Sequence, residues 1–439
     1  MKVYFVSLGC DKNLVDSEHM LGLISSEYEI TDDLSEAEIA VVNTCAFIKD
    51  AKEESVNTIL ELAELKSSNL KFLVITGCLS QRYYKDLEKL IPEIDGFIGI
   101  SSVNNILEDL NKVVNKEKVF DFPSIDNPQN IIGKRYVTPP FHTSYLKIAE
   151  GCDKKCTYCS IPSIRGAYRS VPMEELISEA NQLVSGGVTE LILVAQETTV
   201  YGVDLYGRKC LCDLITKLSN IRDLKWIRIM YCYPEEIDDE LIKVIKDNPK
   251  VCHYLDIPIQ HSDDKILQKM GRRTSHDDLI KVIRKLRENI PDIALRTSLI
   301  SGFPGETQKE FENLVTFVKE IRFDHLGVFT YSREEDTLAY GFEGHVTEKV
   351  KKQRQSVIMK TQAEISLDKN SKLVGKVFDC IIEGYDSSEE VYVGRIYRDA
   401  PDVDGLVFIS AKRELISGSF VTVLITDYNE YDLIGEIKE

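Results

Sequence analysis

The feature that most constrains the fold is an alternation of short apolar segments with amphipathic helical segments, which runs from the N-terminus to about residue 331. The apolar segments have the length of strands, and this rhythm is typical of parallel sheets covered by helices. Three such strands are predicted at residues 2–8, 37–43 and 71–76. They indicate an N-terminal parallel α/β domain over residues 1–120.

A second group of larger repeats begins near residue 143. Its six predicted strands, with helical patterns between most of them, lie at residues 144–149, 190–195, 224–231, 253–257, 293–300 and 325–331. Six strand–helix repeats predict a central, partial TIM-like (β/α)6 barrel over residues 143–345, short of the eight repeats of a complete barrel. Residues 121–142 contain four prolines and are predicted to be a linker.

The C-terminal part follows a different pattern. Residues 346–370 read as a polar helical connector without Pro or Gly. Strand-like segments without helices between them follow at residues 375–386, 391–398, 405–409 and 420–426. They predict a small antiparallel β-barrel over residues 371–439, similar in style to oligonucleotide-binding barrels. Residues 374–439 carry a formal charge of −8, which argues against a phosphate backbone as their ligand.

Composition narrows the function classes. The chain has 11 cysteines, 7 histidines and a formal net charge of −18. That charge argues against a whole-molecule nucleic-acid binder and suits a basic protein partner. No apolar run approaches the roughly 20 residues that cross a bilayer, and the N-terminus reads as a strand without a signal-peptide pattern. We therefore expect a cytoplasmic protein with no membrane contact, whose reduced cysteines are available to metals.

A compact cysteine triplet opens the central domain. Cys152, Cys156 and Cys159 form Cys-x-x-x-Cys-x-x-Cys directly after the first predicted strand. Thiolates are the ligands of iron–sulfur clusters, and three of them leave one iron of a four-iron cluster open. The amino and carboxylate groups of S-adenosylmethionine can chelate that open iron. The alternative, a zinc knuckle, usually needs a fourth ligand, and this loop contains no further Cys or His.

Three further cysteines share one structural position although they are far apart in the sequence. Cys10, Cys45 and Cys78 each follow the end of a predicted strand. The carboxyl ends of parallel strands lie on one edge of a sheet, so the three thiols can converge, and Gly9 and Gly77 allow close backbone approach. We expect them to hold a second cluster; the alternative is that they are ordinary buried cysteines. The remaining cysteines form no comparable set.

These motifs resemble a known family. Residues 151–159, Gly-Cys-Asp-Lys-Lys-Cys-Thr-Tyr-Cys, are similar to the signature of the radical S-adenosylmethionine superfamily, which implies that Tyr158 packs near the adenine of the cofactor. Together with the N-terminal cysteines and the C-terminal barrel, the whole chain resembles the methylthiotransferases. The resemblance implies two 4Fe–4S clusters, the N-terminal one involved in sulfur delivery, and a terminal barrel of the TRAM type.

Two segments indicate a branch of that family. Residues 7–18 and 161–166 are similar to the branch that modifies an aspartate of the small-subunit ribosomal protein uS12, rather than to the branch that modifies tRNA adenosines. The resemblance implies that one S-adenosylmethionine donates a methyl group and another supplies the radical that removes hydrogen from the β-carbon of the aspartate. The alternatives are a tRNA methylthiotransferase and a non-catalytic iron–sulfur or zinc scaffold.

Further site and partner predictions follow. Gln196 and Arg296, near predicted strand ends of the central barrel, are expected to contact S-adenosylmethionine. The expected partners are uS12 as a basic protein substrate and an electron donor such as flavodoxin or ferredoxin, with tRNA disfavoured. Four carboxylates of the terminal barrel are expected to steer the basic substrate. They are Asp402, Asp404, Glu430 and Asp432.

Overall fold

The computed structural model of the chain describes residues 1–126 and 134–438. Its N-terminal part is a six-stranded sheet in which neighbouring strands are parallel. The strands are β1 (Lys2–Ser7), β2 (Glu29–Ile30), β3 (Ile39–Thr44), β4 (Phe72–Thr76), β5 (Gly96–Ile98) and β6 (Val119–Asp121). The helices are α1 (Asp11–Ile24), α2 (Lys49–Glu64), α3 (Gly77–Leu90) and α4 (Ile106–Val114).

The strand order of this sheet positions a site. The order β2-β1-β3-β4-β5-β6 reverses direction between β1 and β3, and open α/β sheets bind ligands at such a reversal, outside the carboxyl ends of the strands. Every residue of β3 is buried, as expected for a central strand covered by helices on both faces. The structure thus confirms the predicted parallel α/β fold.

The central part contains six parallel strands in two groups of three. One group has the order β11-β10-β7 and the other β12-β13-β14, and a parallel bridge between Ile227 and Val251 connects them. The strands are β7 (Thr143–Lys147), β8 (Ala149–Glu150), β9 (Arg169–Ser170), β10 (Glu190–Val194), β11 (Trp226–Ile229), β12 (Tyr254–Asp256), β13 (Ala294–Ser301) and β14 (His325–Thr330). This arrangement confirms the partial barrel of six strand–helix repeats.

The helices of the central part cover the outside of these strands, where one large apolar core lies. They are α5 (Ile161–Arg165), α6 (Met173–Ser185), α7 (Val203–Tyr206), α8 (Leu211–Ser219), α9 (Asp239–Asp247), α10 (Asp264–Lys269), α11 (His276–Asn289) and α12 (Gln308–Ile321). In addition, β8 and β9 form a short antiparallel pair next to the cysteine triplet.

The chain ends in a helix and a closed five-stranded barrel. The elements are α13 (Glu348–Ser371), β15 (Val377–Asp386), β16 (Val391–Ile396), β17 (Val407–Ser410), β18 (Phe420–Tyr428) and β19 (Leu433–Ile437). The order is β15-β16-β17-β19-β18, and every pair is antiparallel except β17 with β19. The sequence analysis did not include β19, the strand that closes the barrel.

Buried ion pairs join this terminal barrel to the central barrel. Glu190 of β10 accepts hydrogen bonds from Arg228 Nε at 2.9 Å and from Arg395 Nη2 at 2.6 Å. All three side chains are at most 1% exposed. Burial by itself would raise the pKa of Glu190, but Arg395 and Arg228 outweigh it and hold that pKa at about 2. The two barrels are therefore held together by a desolvated charge cluster.

The predicted linker at residues 121–142 lies partly outside the described residues, because 127–133 are not among them. The described part after this gap packs against both neighbouring domains. Arg135 Nε donates to Glu18 of α1 at 2.6 Å, and its Nη1 donates to Glu179 of α6 at 2.9 Å. Within the described residues, no helix is both long and apolar enough to cross a membrane.

The N-terminal domain contains a buried carboxyl group that predicts a pH-dependent stability. Asp109 of α4 is 1% exposed, and burial together with the nearby Asp121 raises its pKa to about 7. An unfolded aspartate titrates near about pH 4. The folded state therefore keeps a proton that the unfolded state loses, and stability falls as the pH rises from about 4 to about 7.

We expect Asp109→Asn to stabilise the protein by on the order of 2 kcal/mol at pH 8 and to change its stability little at pH 4, because the amide cannot ionise. Thermal unfolding followed by circular dichroism at the two pH values measures this. The exposed Asp86→Asn serves as the control. An equal shift of the Asp109→Asn protein at both pH values would contradict the assignment.

Candidate metal centres

The three N-terminal cysteines lie at the ends of three adjacent strands. Cys10 follows β1 as the N-cap of α1, Cys45 follows β3 directly, and Cys78 lies in the first turn of α3 after β4. β3 pairs with both β1 and β4, so the three strand ends are neighbours on one sheet edge. The site lies at the reversal of strand order, as ligand sites of such sheets do.

Close backbone packing brings these loops together. Gly9 has a φ of 90°, and a Cβ atom there would lie 2.9 Å from Cys45 Sγ. Gly77 has a φ of 87°, and a Cβ atom there would overlap Asn43 Oδ1. Both positions need a residue without a side chain. The structure thus confirms that Gly9 and Gly77 allow close approach beside the cysteines.

Asn13 connects the cysteine loops and was not singled out in the sequence analysis. Its Nδ2 donates to the carbonyl groups of Leu8 and Thr44, both at 3.0 Å. Its Oδ1 lies 4.0 Å from Cys78 Sγ and accepts a hydrogen bond from Arg165. One side chain therefore fixes the loops after β1 and β3 and contacts the third cysteine.

The chemistry of the three thiols suits a metal rather than a free nucleophile. Burial raises the pKa of Cys45 to about 12, with a further increase from Cys78. Burial also raises the pKa of Cys78, while the Arg165 guanidinium opposes the increase. A metal binds the thiolate and removes the proton outright. The N-terminus of α3, where Cys78 lies, also favours negative charge.

The central triplet lies in the loop between β8 and α5. The Cys159 amide donates to the Cys156 carbonyl at 3.1 Å, so the loop is tight. Burial raises the pKa of Cys152 to about 11 and that of Cys159 to about 12, and the charges of the other cysteines raise it further in each case. The three thiols are close enough to influence one another electrostatically, as ligands of one cluster must be.

A cationic side chain supports this triplet from a distant part of the sequence. Arg272 Nη1 lies 4.0 Å from Cys156 Sγ, and its guanidinium stacks on the Tyr233 ring at 4.2 Å. The Tyr233 hydroxyl lies 3.6 Å from the same Sγ. These groups place a positive charge and a hydroxyl group beside the Cys156 sulfur. Local spacing could not reveal them, because Arg272 is 116 residues away from Cys156.

The three residues predicted to contact S-adenosylmethionine occupy different parts of the barrel mouth. Tyr158 is half-buried, with its ring edge-on to Phe303 at a centroid distance of 6.4 Å. Gln196 Nε2 donates to Glu150 at 2.7 Å. Arg296 Nη1 donates to Asp256 at 2.8 Å. Their role toward the cofactor stays a prediction.

Arg296 also contacts the terminal barrel. Its Nε lies 3.3 Å from Asp404 Oδ1, and the Asp404 side chain is fully buried. Asp404 also accepts a hydrogen bond from the Tyr254 hydroxyl at 2.7 Å. The expectation that Asp404 steers a substrate from the surface is therefore wrong. Its carboxylate compensates the charge of the buried Arg296 guanidinium. A count of charges along the sequence cannot distinguish such a buried carboxylate from one that is exposed to solvent.

The mouth of the central barrel has buried polar atoms without hydrogen-bond partners among the described residues. These atoms include Ser160 Oγ, Gln196 Oε1, Glu197 Oε2, Ser262 Oγ, Arg272 Nε and the Tyr331 hydroxyl. Many of them follow the carboxyl ends of barrel strands, where active sites of such barrels lie. Because buried polar groups are normally paired, this set fits a polar ligand at the mouth.

A zinc ion and a four-iron cluster place different requirements on the positions of their ligands. Within residues 1–126 and 134–438, no three His, Cys, Asp or Glu side chains are arranged to hold one metal ion. Zinc needs ligands that converge tetrahedrally on one point. The ligands of a four-iron cluster bind different irons and do not need to converge.

Three family models match successive parts of the chain. Residues 2–99 match the model described as uncharacterized protein family UPF0004, residues 146–318 match the radical SAM superfamily, and residues 374–437 match the TRAM domain. The matched regions correspond to the N-terminal sheet, the central barrel and the terminal barrel.

Solved structures support the fold. The radical S-adenosylmethionine methyltransferase TsrM from Kitasatospora setae, with cobalamin and a [4Fe-4S] cluster bound, matches with a TM-score of 0.55 at 13% identity, over 75% of this chain and 72% of that chain. The cobalamin-dependent S-adenosylmethionine radical enzyme OxsB matches with a TM-score of 0.53 at 13% identity, over 82% of this chain and 56% of that chain. At this identity the likeness concerns the fold alone.

Curated relatives match over nearly the full length. The protein from Lachnoclostridium phytofermentans is 56% identical over 99% of both chains. The protein from Acetivibrio thermocellus is 48% identical over 99% of this chain and 98% of its own. The protein from Clostridioides difficile is 46% identical over 100% of this chain and 99% of its own. All three are named ribosomal protein uS12 methylthiotransferase RimO, and the present chain belongs to this RimO family of radical SAM proteins.

Proposed function

We propose that this protein attaches a methylthio group to the β-carbon of an aspartate in ribosomal protein uS12. The observation that carries the proposal is the pair of cysteine triplets, one on the N-terminal sheet edge and one at the barrel mouth. Relatives that are 46–56% identical over the whole chain carry the name of this activity. A ribosomal substrate places the reaction in the cytoplasm.

Two 4Fe–4S clusters and S-adenosylmethionine are the proposed cofactors. Cys152, Cys156 and Cys159 would hold the cluster with an open iron, and Cys10, Cys45 and Cys78 the second one. When bound, these groups would supply the radical and the methylthio group. The radical is needed because the β-carbon hydrogen is too weakly acidic to be removed by a protein base. The S-adenosylmethionine site is proposed to be lined by Tyr158, Gln196 and Arg296.

The residues of the chain would contribute positioning and charge. Arg272 Nη1 and the Tyr233 hydroxyl lie 4.0 Å and 3.6 Å from Cys156 Sγ, where they would orient this side chain toward a bound cluster. Phe303, fully buried, supports the edge of Tyr158 and so fixes the apolar wall against which we place the adenine. Glu150 orients Gln196. These contacts hold the side chains of the site in fixed positions before a substrate binds, which is what a preorganised site requires.

The terminal barrel is proposed to dock uS12, which as an rRNA-binding protein is expected to be basic. Asp402 and Glu430 are exposed and can steer such a partner. Asp432 is half-buried and accepts a hydrogen bond from the Leu406 amide at 3.0 Å, so it contributes less to steering. An acidic surface disfavours tRNA. We also propose that the chain is divided into an N-terminal domain (1–120), a linker (121–142), a central domain (143–345), a helical connector (346–370) and a terminal barrel (371–439).

The substrate is tested by mass spectrometry. Reconstituted protein is incubated with S-adenosylmethionine, a sulfur source, a reductant, and either purified uS12 or bulk tRNA. We expect one aspartate of uS12 to gain a methylthio group in place of a hydrogen, and tRNA to remain unmodified. Modified adenosine together with unmodified uS12 would overturn the proposal in favour of the tRNA alternative.

A charge-reversed variant tests the docking. Asp402→Lys with Glu430→Lys should weaken uS12 binding about tenfold at low salt and flatten its salt dependence. Asp247→Lys with Glu320→Lys, which changes two exposed acids on α9 and α12, is the matched control. Equal binding by both variants would exclude this surface as the uS12 contact.

A further inference from the structure

Lys12 is a buried cation next to the N-terminal cysteine triplet. It lies two residues after Cys10 in the first turn of α1, and its side chain is 9% exposed. Its ammonium lies 2.7 Å from the carboxylate of Asp11, the preceding residue. This ion pair joins neighbours in the sequence, so it does not hold distant parts of the chain together. Burial of an ammonium is costly unless its N–H groups are paired, which makes this lysine a candidate for binding a further anion.

Tyr231 places the Lys12 ammonium at the mouth of the central barrel. This tyrosine follows β11, and Lys12 Nζ lies 3.4 Å from the centroid of its ring. Its hydroxyl donates to Asp11 at 3.2 Å, and its amide donates to the Asp256 carboxylate at 3.0 Å. Tyr231 has a φ of 60°, which is costly for an aromatic residue. Such strained residues occur mainly at functional sites, where the surrounding contacts hold them in place.

The segment after β11 borders both cysteine triplets. Tyr231 contacts Lys12 beside Cys10, and the hydroxyl of Tyr233, two residues later, lies 3.6 Å from Cys156 Sγ. Cys10 is exposed and Tyr231 is half-buried, so a ligand can approach this segment. The Lys12 ammonium therefore lies at the side of the N-terminal triplet that faces the barrel mouth.

The Lys12 ammonium has hydrogen-bonding capacity to spare. It carries three N–H donors, and among the residues that the structure describes Asp11 is its one carboxylate partner. The Asp11 carboxylate, in contrast, also accepts from the Lys12 amide at 3.0 Å and from the Tyr231 hydroxyl. Lys147 shows that one ammonium in this protein can bind two carboxylates. A second carboxylate can therefore bind Lys12 without displacing Asp11.

Other cations near the two triplets are already engaged. Arg272 lies against Cys156, and its Nη2 donates to the Pro258 carbonyl at 3.0 Å. Four further cations each lie within ion-pair distance of at least two carboxylates, namely Lys147, Lys154, Arg165 and Arg296. Within this set of cations, Lys12 is the one with the most capacity left for a carboxylate.

We infer that the Lys12 ammonium binds the carboxylate of the target aspartate of uS12. The inference rests on the proposed function, in which the β-carbon of that aspartate must face both centres. The carboxylate carbon is bonded directly to the β-carbon, so a cation beside the two centres is within its reach. A charge-assisted hydrogen bond in a buried site requires an anion. The site therefore selects an aspartate over an asparagine, which has the same shape and no charge.

The test changes the charge on each side of this contact. Purified uS12, and a uS12 variant in which asparagine replaces the modified aspartate, are titrated by calorimetry into the reconstituted holoenzyme. We expect the wild type to bind uS12 about tenfold or more tightly than the asparagine variant, and Lys12→Met to bind both equally. Lys12→Arg keeps the charge and should keep the preference. Lys89→Met, which changes an exposed lysine on α3, is the control and should behave like the wild type.

The preference is a ratio of two affinities for the same protein, so incomplete cluster loading affects both titrations alike. Lys12→Met leaves the Asp11 carboxylate without its ammonium and can destabilise the N-terminal domain. The double variant Asp11→Asn with Lys12→Met removes both charges and should show the same loss of preference. The rate of uS12 methylthiolation at low substrate concentration should fall about tenfold or more in both variants and recover in part in Lys12→Arg.

The outcomes separate this inference from the proposed function. An unchanged preference in Lys12→Met and in the double variant, with uS12 still modified by the wild type, would overturn the role of Lys12 alone. Equal affinity of the wild type for uS12 and its asparagine variant would also overturn it. Modification of tRNA adenosine together with unmodified uS12 would overturn the proposed function, and the inference with it.

Discussion

Replacing Cys152, Cys156 and Cys159 together with alanine is expected to halve the iron content and to abolish cleavage of S-adenosylmethionine. Anaerobic reconstitution of the wild type should give about eight irons per chain, from two four-iron clusters. The loss of cleavage follows because this triplet holds the cluster at which S-adenosylmethionine is proposed to bind. Iron and sulfide analysis and the release of deoxyadenosine measure the two effects.

The complementary variant should separate the two centres. Replacing Cys10, Cys45 and Cys78 with alanine is also expected to halve the iron, but some cleavage should survive because the central triplet is intact. Both variants should fail to modify uS12. A variant that replaces Cys210, Cys212 and Cys252 is the control, and it should keep all of the iron. Unchanged iron in either of the first two variants would refute the corresponding ligand assignment.

Glu190→Gln is expected to destabilise the protein by about 3–5 kcal/mol, because it leaves Arg228 buried without a carboxylate and Arg395 with Glu383 as its remaining carboxylate partner. The substitution keeps the side-chain size, so the loss reports charge rather than packing. Hydrogen exchange should show increased opening of β16, which carries Arg395, before the rest of the terminal barrel. Denaturant unfolding gives the magnitude.

An exposed glutamate provides the reference for this prediction. Glu174→Gln in the first turn of α6 should change stability by no more than about 0.5 kcal/mol. If Glu190→Gln behaved like Glu174→Gln, the buried pairs would not hold the barrels together. Rescue by a further replacement of Arg228 and Arg395 with apolar residues would show that the cost comes from unpaired charge.

The sequence was sufficient for those parts of the fold that depend on local periodicity. The six central strands and three of the N-terminal strands lie in apolar segments that alternate with helical patterns, and each was predicted close to its observed bounds. β2, β5 and β6 have only two or three residues, so their pairing depends on neighbouring strands. β19 alternates buried and exposed side chains over five residues, and it becomes a strand because it closes the barrel between β17 and β18.

The residues of the candidate site also fall into two groups, those that local sequence indicates and those that only tertiary packing brings together. The cysteines could be found because each follows a strand, and strand ends converge by topology. Arg272 and Tyr233 could not be found, because their contact with Cys156 arises only when the loops after different barrel strands meet. Asp404 was misjudged because its charge is visible in the sequence while its burial against Arg296 is created by docking of the terminal barrel.

The charge cluster between the two barrels has a mechanical consequence. Separating the two barrels would break the buried hydrogen bonds from Arg395 to Glu190 and from Arg228 to the Tyr397 carbonyl, so a hinge between the barrels is costly to open. If uS12 docks on the terminal barrel as proposed, it would not be carried toward the radical site by a domain movement, and its own loop would have to span the distance. The fixed spacing of the two barrels would then favour a target residue on a loop that projects far enough to reach that site.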